Sequence, residues 1–419
     1  MSSNEIRKSL DVKPKIFYGY FIVILAFLIM LVGHGVFSAF GVFFNPVLVE
    51  FGWTRAMTSG AFSLALIIFG VMGVVMGRLT DRYGPRIVIT ICGILLGLGY
   101  LLMSQIGALW HLYLFYGVII GLGMAGAWVP LLSITARWFV KRRSVMTGFV
   151  AAGVGVGGLI TPLVANQLII IYEWRIAYAI LGGIVLIIVV TAAQFLKRDP
   201  SQKGLSPYGS DESKEAALEP VTKSVSLTET LRHRQIWLLT TSVFCFGFFF
   251  YTITVHIAPH AIVLGNSTTT AANILAIVGG ISIIGNIVFG GVGDKIGNKW
   301  AYVICFIIMS AGLFWLVPST EVWALFLIAG VFGFARGGAD TVESPLTADL
   351  FGLKSHGVIY GVVALSFTIG AAIGPFLAGY IFDVTNSYEL AFLICAVISV
   401  IGLGLIITLR PIKRLKSEA

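Results

Sequence analysis

Arg336, Asp340 and Glu343 lie within the stretch Gly330 to Gly352, inside an apolar run that begins near Val322. Their spacing of i, i+4 and i+7 puts all three on one face of a helix. A charged side chain at mid-bilayer costs roughly 2.5–3.5 kcal/mol on insertion scales, so three on one face must point into protein or water. The chemistry open to them is definite. An arginine fork grips a carboxylate through two parallel hydrogen bonds, a geometry lysine lacks. A desolvated Asp340 or Glu343 could hold a proton, because burial favours the neutral acid. The plainer alternative is an Arg336–Asp340 pair that only neutralises itself, with Glu343 near the interface.

Other polar residues sit in apolar surroundings. His256 and His260 share a face near the end of one run, beside Pro259. Imidazoles change charge near neutral pH, so they could relay protons or bind a ligand, or simply be satisfied at a helix end. His34, between Gly33 and Gly35, suits a cavity wall or a helix contact equally. Tyr116 is a candidate wall residue, although it and Trp128 also fit plain packing. Gly153, Gly155, Gly157, Gly158 and Pro162, like Gly361, Gly370, Gly374, Pro375 and Gly379, read as close packing and bending. They are no phosphate loop, since no Lys-Ser/Thr follows. No nucleophile–base or metal-ligand cluster stands out, so no catalytic residue, metal or cofactor is expected. Cys92, Cys245, Cys305 and Cys395 lie in apolar runs and are expected to pack, not to form disulfides.

The elements that must position these residues are membrane helices. The chain is 58% hydrophobic and only 11% charged, against about 25% in soluble domains. Apolar runs of membrane length number twelve, near 16–46, 54–79, 84–106, 109–137, 142–171, 174–196, 235–264, 268–293, 298–318, 321–351, 355–384 and 387–410. They are called spans 1 to 12 below. The first is too long for a cleavable signal. Lys and Arg cluster in the two terminal tails and in alternate loops, while Arg55 and Arg175 fall on the other side. The positive-inside rule then predicts cytoplasmic termini in a multi-pass plasma (bacterial inner) membrane protein. The net charge of +9 is therefore topological and does not suggest nucleic acid.

The chain also repeats itself. An offset of 213 carries Pro46 onto Pro259, Gly77 onto Gly290, Asp81 onto Asp294, Gly84 onto Gly297, Gly117 onto Gly330, Gly148 onto Gly361 and Pro162 onto Pro375. The expected fold is all-α: two six-helix bundles, 1–196 and 235–419, related as parallel repeats and joined by a cytoplasmic linker, 197–234. Within that linker, Ser226 to Glu229 form a capping-box pattern that could start a surface helix.

Gly77-Arg78-Leu79-Thr80-Asp81-Arg82-Tyr83-Gly84-Pro85-Arg86, between spans 2 and 3, resembles the loop signature of the major facilitator superfamily, and Gly290 to Lys299 echo it in the second half. The likeness covers nearly the whole chain. Tyr18-Gly19-Tyr20, Gly41-Val42-Phe43-Phe44, Phe51-Gly52-Trp53-Thr54-Arg55, Arg198-Asp199-Pro200, Gly204-Leu205-Ser206-Pro207 and His256-Ile257-Ala258-Pro259-His260 are similar to the monocarboxylate-transporter group and its bacterial, oxalate/formate-like relatives. The resemblance implies secondary transport of a small carboxylate, commonly with a proton, through a cavity walled by spans 1, 4, 7 and 10. It also implies that Asp81, Arg82, Arg86, Asp294 and Lys295 latch the halves together, although positive-inside anchoring would explain the basic members.

One departure matters. Carriers of this group usually place a basic residue within span 8, yet no Lys or Arg occurs between Arg234 and Lys295, and Asn286 stands near the expected position. Either the anion anchor has moved to Arg336 or the substrate is not a simple anion. The repeat offers a control: the counterparts of Arg336, Asp340 and Glu343 are Gly123, Ala127 and Pro130. Charge there is not an architectural need. The expected function is alternating-access transport of a monocarboxylate with proton symport, by a monomer in the lipid bilayer. Carboxylate exchange, export of larger amphipathic compounds and a non-transporting transceptor are the alternatives.

Overall fold

The computed structural model describes residues 17–53, 55–210, 230–353 and 355–410; the pattern at Ser226 to Glu229 and both charged tails lie outside them. Eleven described helices are long and apolar enough to cross a membrane. One of these, Arg143–Phe195, has 53 residues and would reach about 80 Å if straight, more than two bilayer cores. It does not run straight, because Glu173 leaves the helical region at φ 69° and ψ 161°. Its far end returns: Trp138 Nε1, just before the helix begins, donates to Lys197 O just after it ends, at 2.9 Å. The helix is thus spans 5 and 6, and the described residues form twelve spans in an all-α fold.

The remaining spans follow the apolar runs. Span 1 is Tyr18–Ser38, continued after Ala39 by Phe40–Phe51. Spans 2 and 3 are Arg55–Tyr83 and Pro85–Met103, and span 4 is Leu109–Trp138, which loosens to a π-helical stretch over Tyr113–Ile120. Spans 7 to 12 are Arg234–Val263, Thr268–Ile296, Asn298–Leu316, Val322–Phe351, His356–Thr385 and Glu389–Thr408. Exposed tryptophans mark both interfaces. Trp237 and Trp300 lie at the end of the molecule that holds residues 17 and 410, whereas Trp110 and Trp323 lie at the other. An amphipathic ring at headgroup level is the usual reason.

Glycines of the repeat bring the two halves together. A Cβ on Gly148 of span 5 would strike Asn286 O of span 8, and one on Gly361 of span 11 would lie 2.7 Å from Val74 Cα of span 2. Likewise a Cβ on Gly77 would meet Gly357 O, while one on Gly290 would stand 2.8 Å from Ser144 O. These repeat-related pairs let backbones of opposite halves touch where any side chain would hold them apart.

The first part of the stretch read as a linker is packed, not loose. Tyr208 N–H donates to Trp138 O at 2.9 Å, and its carbonyl accepts from Val140 and Lys141. Its ring meets Phe17, Tyr20 and Phe139. Residues 197–210 therefore cover the end of the first six spans.

Candidate functional site

Arg336 lies near the middle of span 10. Its Nε is 3.0 Å from Asp340 Oδ2, and the side chains are 23% and 13% exposed, so the pair is largely but not wholly enclosed. The N–H is not aimed at that oxygen, and Nε makes no hydrogen bond among the described residues. Charge alone holds the pair. A second guanidinium nitrogen, Nη1, makes one long bond of 3.4 Å to Ser282 Oγ on span 8. The guanidinium plane lies over the ring of Phe250 on span 7, with Cζ 4.6 Å from the centroid. This surface desolvates and orients the fork without using its N–H groups. Among the described residues most of the donor capacity of this half-buried arginine is left unspent.

Glu343 sits two turns further, about 10 Å along the helix, where exposure falls to 5%. Tyr302 of span 9 and Tyr360 of span 11 are its polar neighbours, and the Tyr302 hydroxyl is buried without a hydrogen-bond partner among the described residues. Tyr360 Oη accepts a hydrogen bond of 3.0 Å from Trp128 Nε1 on span 4, in the other half. Trp128 in turn stands edge-on to His34, whose ring also meets Phe69. His34 Nδ1 is buried without a hydrogen-bond partner among the described residues. Contacts thus lead from Tyr360 in one half through Trp128 to His34 in the other.

The other candidates lie elsewhere. Asn286 is buried between spans 8 and 10, where its Oδ1 accepts from Thr341 Oγ1 at 2.9 Å. Tyr116 is fully buried among Phe37, Phe40, Phe62 and Tyr100, and its hydroxyl donates to Phe37 O. His256 contacts Pro375 O at 2.9 Å and the Tyr388 hydroxyl at 3.3 Å. His260 packs edge-on against Tyr388 and Phe392.

At the end holding residues 17 and 410, the two acids of the repeat make matching contacts. Asp81 Oδ2 accepts from Val358 N–H at 3.1 Å, at the start of span 11. Asp294 accepts from Ser144 N–H at 2.9 Å and Val145 N–H at 3.2 Å, at the start of span 5. Val145 and Val358 are themselves 213 apart. Each carboxylate thus caps the N-terminus of a helix in the opposite half, satisfying orphan N–H groups and complementing the helix dipole. Arg137 binds Asp81 at 2.8 Å and also contacts Asp199. Arg143 adds a 3.1 Å ion pair to Asp349 across the halves. Arg82 lies over the Tyr83 ring, Arg86 donates to Gln194, and Lys295 is exposed.

Sequence reasoning missed Phe250, Tyr302, Tyr360, Arg137, Arg143 and Asp349. The two arginines had a signal, since they border spans with acids nearby. The aromatic residues had none, because their partners are distant in the chain.

A sequence model of the Major Facilitator Superfamily matches residues 23–292 and 263–419. Monocarboxylate transporter 12 of Mus musculus is 28% identical over 98% of this chain and 89% of its own length. Monocarboxylate transporter 13 of Bos taurus is 27% identical over 94% of this chain and 89% of its own. The uncharacterized MFS-type transporter YhjX of Escherichia coli (strain K12) is 30% identical over 74% and 76%. Among solved structures, the proton:xylose symporter XylE superposes with a TM-score of 0.74 at 15% identity, covering 94% of this chain and 96% of that one.

Proposed function

The chain belongs to the Major Facilitator Superfamily, and from that membership we propose that it carries a small monocarboxylate together with a proton by alternating access. It is a multi-pass membrane transporter and not an enzyme. Its substrate and coupling are our reading. One observation carries it: a mid-membrane arginine whose fork is oriented on Phe250 and bonded to little else. A monocarboxylate offers two oxygens to that fork and an apolar body to the aromatic wall. The absence of a span 8 arginine fits the same reading, because Arg336 reaches Ser282 on span 8 from span 10. Asp340 or Glu343 takes the proton, which lets the anion enter without leaving net charge in a low-dielectric site.

The clasp of Asp81, Asp294 and Arg143 closes one end of the path. With the termini in the cytoplasm of a plasma membrane, this is the outward-facing half of the cycle. Residues 1–196 and 235–419 move as two bodies, and one copy suffices. The decisive experiment is uptake of labelled lactate into proteoliposomes under an imposed inward proton gradient. Accumulation that collapses with a protonophore is expected. Uptake indifferent to the gradient, but driven by formate or oxalate loaded inside, would replace symport with exchange. Cysteines at Ser201 and Gln105 test orientation: an impermeant reagent added to intact cells should reach only the second.

A further inference from the structure

Asp340 stands one helical turn on from Arg336, with Oδ2 3.0 Å from Nε. Yet neither of its carboxylate oxygens accepts a hydrogen bond among the described residues, and neither is fully enclosed. The guanidinium is in a similar state. Its Nη1 makes only the long contact to Ser282 Oγ, and Nη2 has no hydrogen-bond partner among the described residues. Ser282 gives its own proton to Gly279 O at 2.6 Å, so that hydroxyl is not free to donate to Asp340. Beneath the guanidinium, the Phe250 ring stacks on Phe332 and Phe367, with centroids 6.4 and 6.1 Å away. This wall is apolar and brings no donor. Unspent N–H groups and unspent carboxylate oxygens thus lie side by side on one face of span 10, next to an aromatic surface.

We propose that Asp340 selects for a short carboxylic acid that carries a hydrogen-bond donor, hydroxyl or ammonium, on the carbon next to its carboxylate. This rests on the reading of Arg336 as the anion anchor and narrows the substrate class. The carboxylate of the ligand takes the free N–H groups of the fork. The neighbouring donor goes to Asp340, which as a carboxylate can only accept. Donor and carboxylate sit on adjacent carbons of such a ligand, as acceptor and fork sit side by side in the site. The carbon skeleton lies on the aromatic wall. An acid without the donor displaces water from Asp340 and puts no hydrogen bond in its place, which costs affinity. A 2-oxo acid fares worse, because its carbonyl sets one acceptor against another.

Four acids with one three-carbon skeleton supply the test: lactate, alanine, propionate and pyruvate. They differ only at the carbon next to the carboxylate. Binding of each to purified full-length protein at neutral pH is measured by titration calorimetry. Lactate, alanine or both should bind at least about tenfold more tightly than propionate, as expected for one hydrogen bond to a charged group. Pyruvate should bind most weakly. Whichever of lactate and alanine leads identifies the donor as hydroxyl or ammonium. Asp340→Asn should erase the preference, because an amide both donates and accepts. Propionate binding in the same sample shows that its site is folded. Asp340→Glu keeps the acceptor and should keep the order; if Asp340→Asn binds nothing, the orders in the parent and in Asp340→Glu decide. Propionate binding as tightly as lactate and alanine in the parent, or a preference that survives Asp340→Asn, overturns the proposal and leaves Arg336 as a plain carboxylate anchor. Binding of none of the four refutes the anchor itself, and this inference falls with it.

Discussion

Neutralising Arg336 should separate an anion anchor from an ion pair that serves the helix alone. Arg336→Gln removes the fork and strands Asp340, which is only 13% exposed. Breaking a buried pair from one side typically costs about 3–5 kcal/mol, and the partial exposure here places the expected cost at the lower end. The loss should appear as a marked drop in melting temperature in detergent. Arg336→Gln/Asp340→Asn leaves no stranded charge and should recover most of that stability. Binding should not recover. A substrate carboxylate loses one or two charge-assisted hydrogen bonds worth ~1.5–3 kcal/mol each, so affinity falls at least about tenfold in both proteins. Arg336→Lys keeps the charge over Phe250 but not the planar fork, and should weaken binding while leaving the melting temperature near the parental value. The assay is substrate binding to purified protein beside a thermal melt of the same sample. Transport and binding restored in the double variant would refute the reasoning, because the arginine would then answer only Asp340.

The clasp makes a steric prediction. Gly77→Ala drives a Cβ into Gly357 O, and Asp81→Asn weakens the cap on span 11, so both should slow transport at normal membrane abundance. A bias of a few kcal/mol suffices to depopulate one state, and parental rates in both variants would reduce these contacts to anchoring. At the opposite end, Glu50 bonds Arg175 at 2.5 Å and Trp174 at 2.7 Å, and the Arg175 hydrogen bond holds its carboxyl below the usual range. A depressed folded value contributes stability above the unfolded carboxylate pKa of about 4.3 that is lost as pH falls through the folded one. Glu50→Gln should therefore lower the melting temperature at pH 7 by a small amount, since both partners are part-exposed, and the gap should close well below pH 4; a gap independent of pH would assign the effect to packing.

Much of this protein is written in one dimension. Hydropathy over windows of bilayer length determines where helices cross, and the 213-residue offset reveals the paired halves without coordinates. The i, i+4, i+7 spacing also placed Arg336, Asp340 and Glu343 on one face, because helical periodicity is local. Contacts between helices are not local. Trp128 and Tyr360 stand 232 residues apart, and neither type nor spacing announces their bond. Asn286 and Tyr116, polar side chains in apolar runs, could face a cavity or a neighbouring helix, and only packing directed Asn286 to Thr341 and Tyr116 to Phe37. Even Arg336 shows the division. Its position and charge are properties of the chain, but whether its fork is spent depends on where Asp340, Ser282 and Phe250 come to rest around it. That arrangement is set by the rotation of spans 7, 8 and 10 about their own axes, which the close approach of glycine faces decides and hydropathy does not.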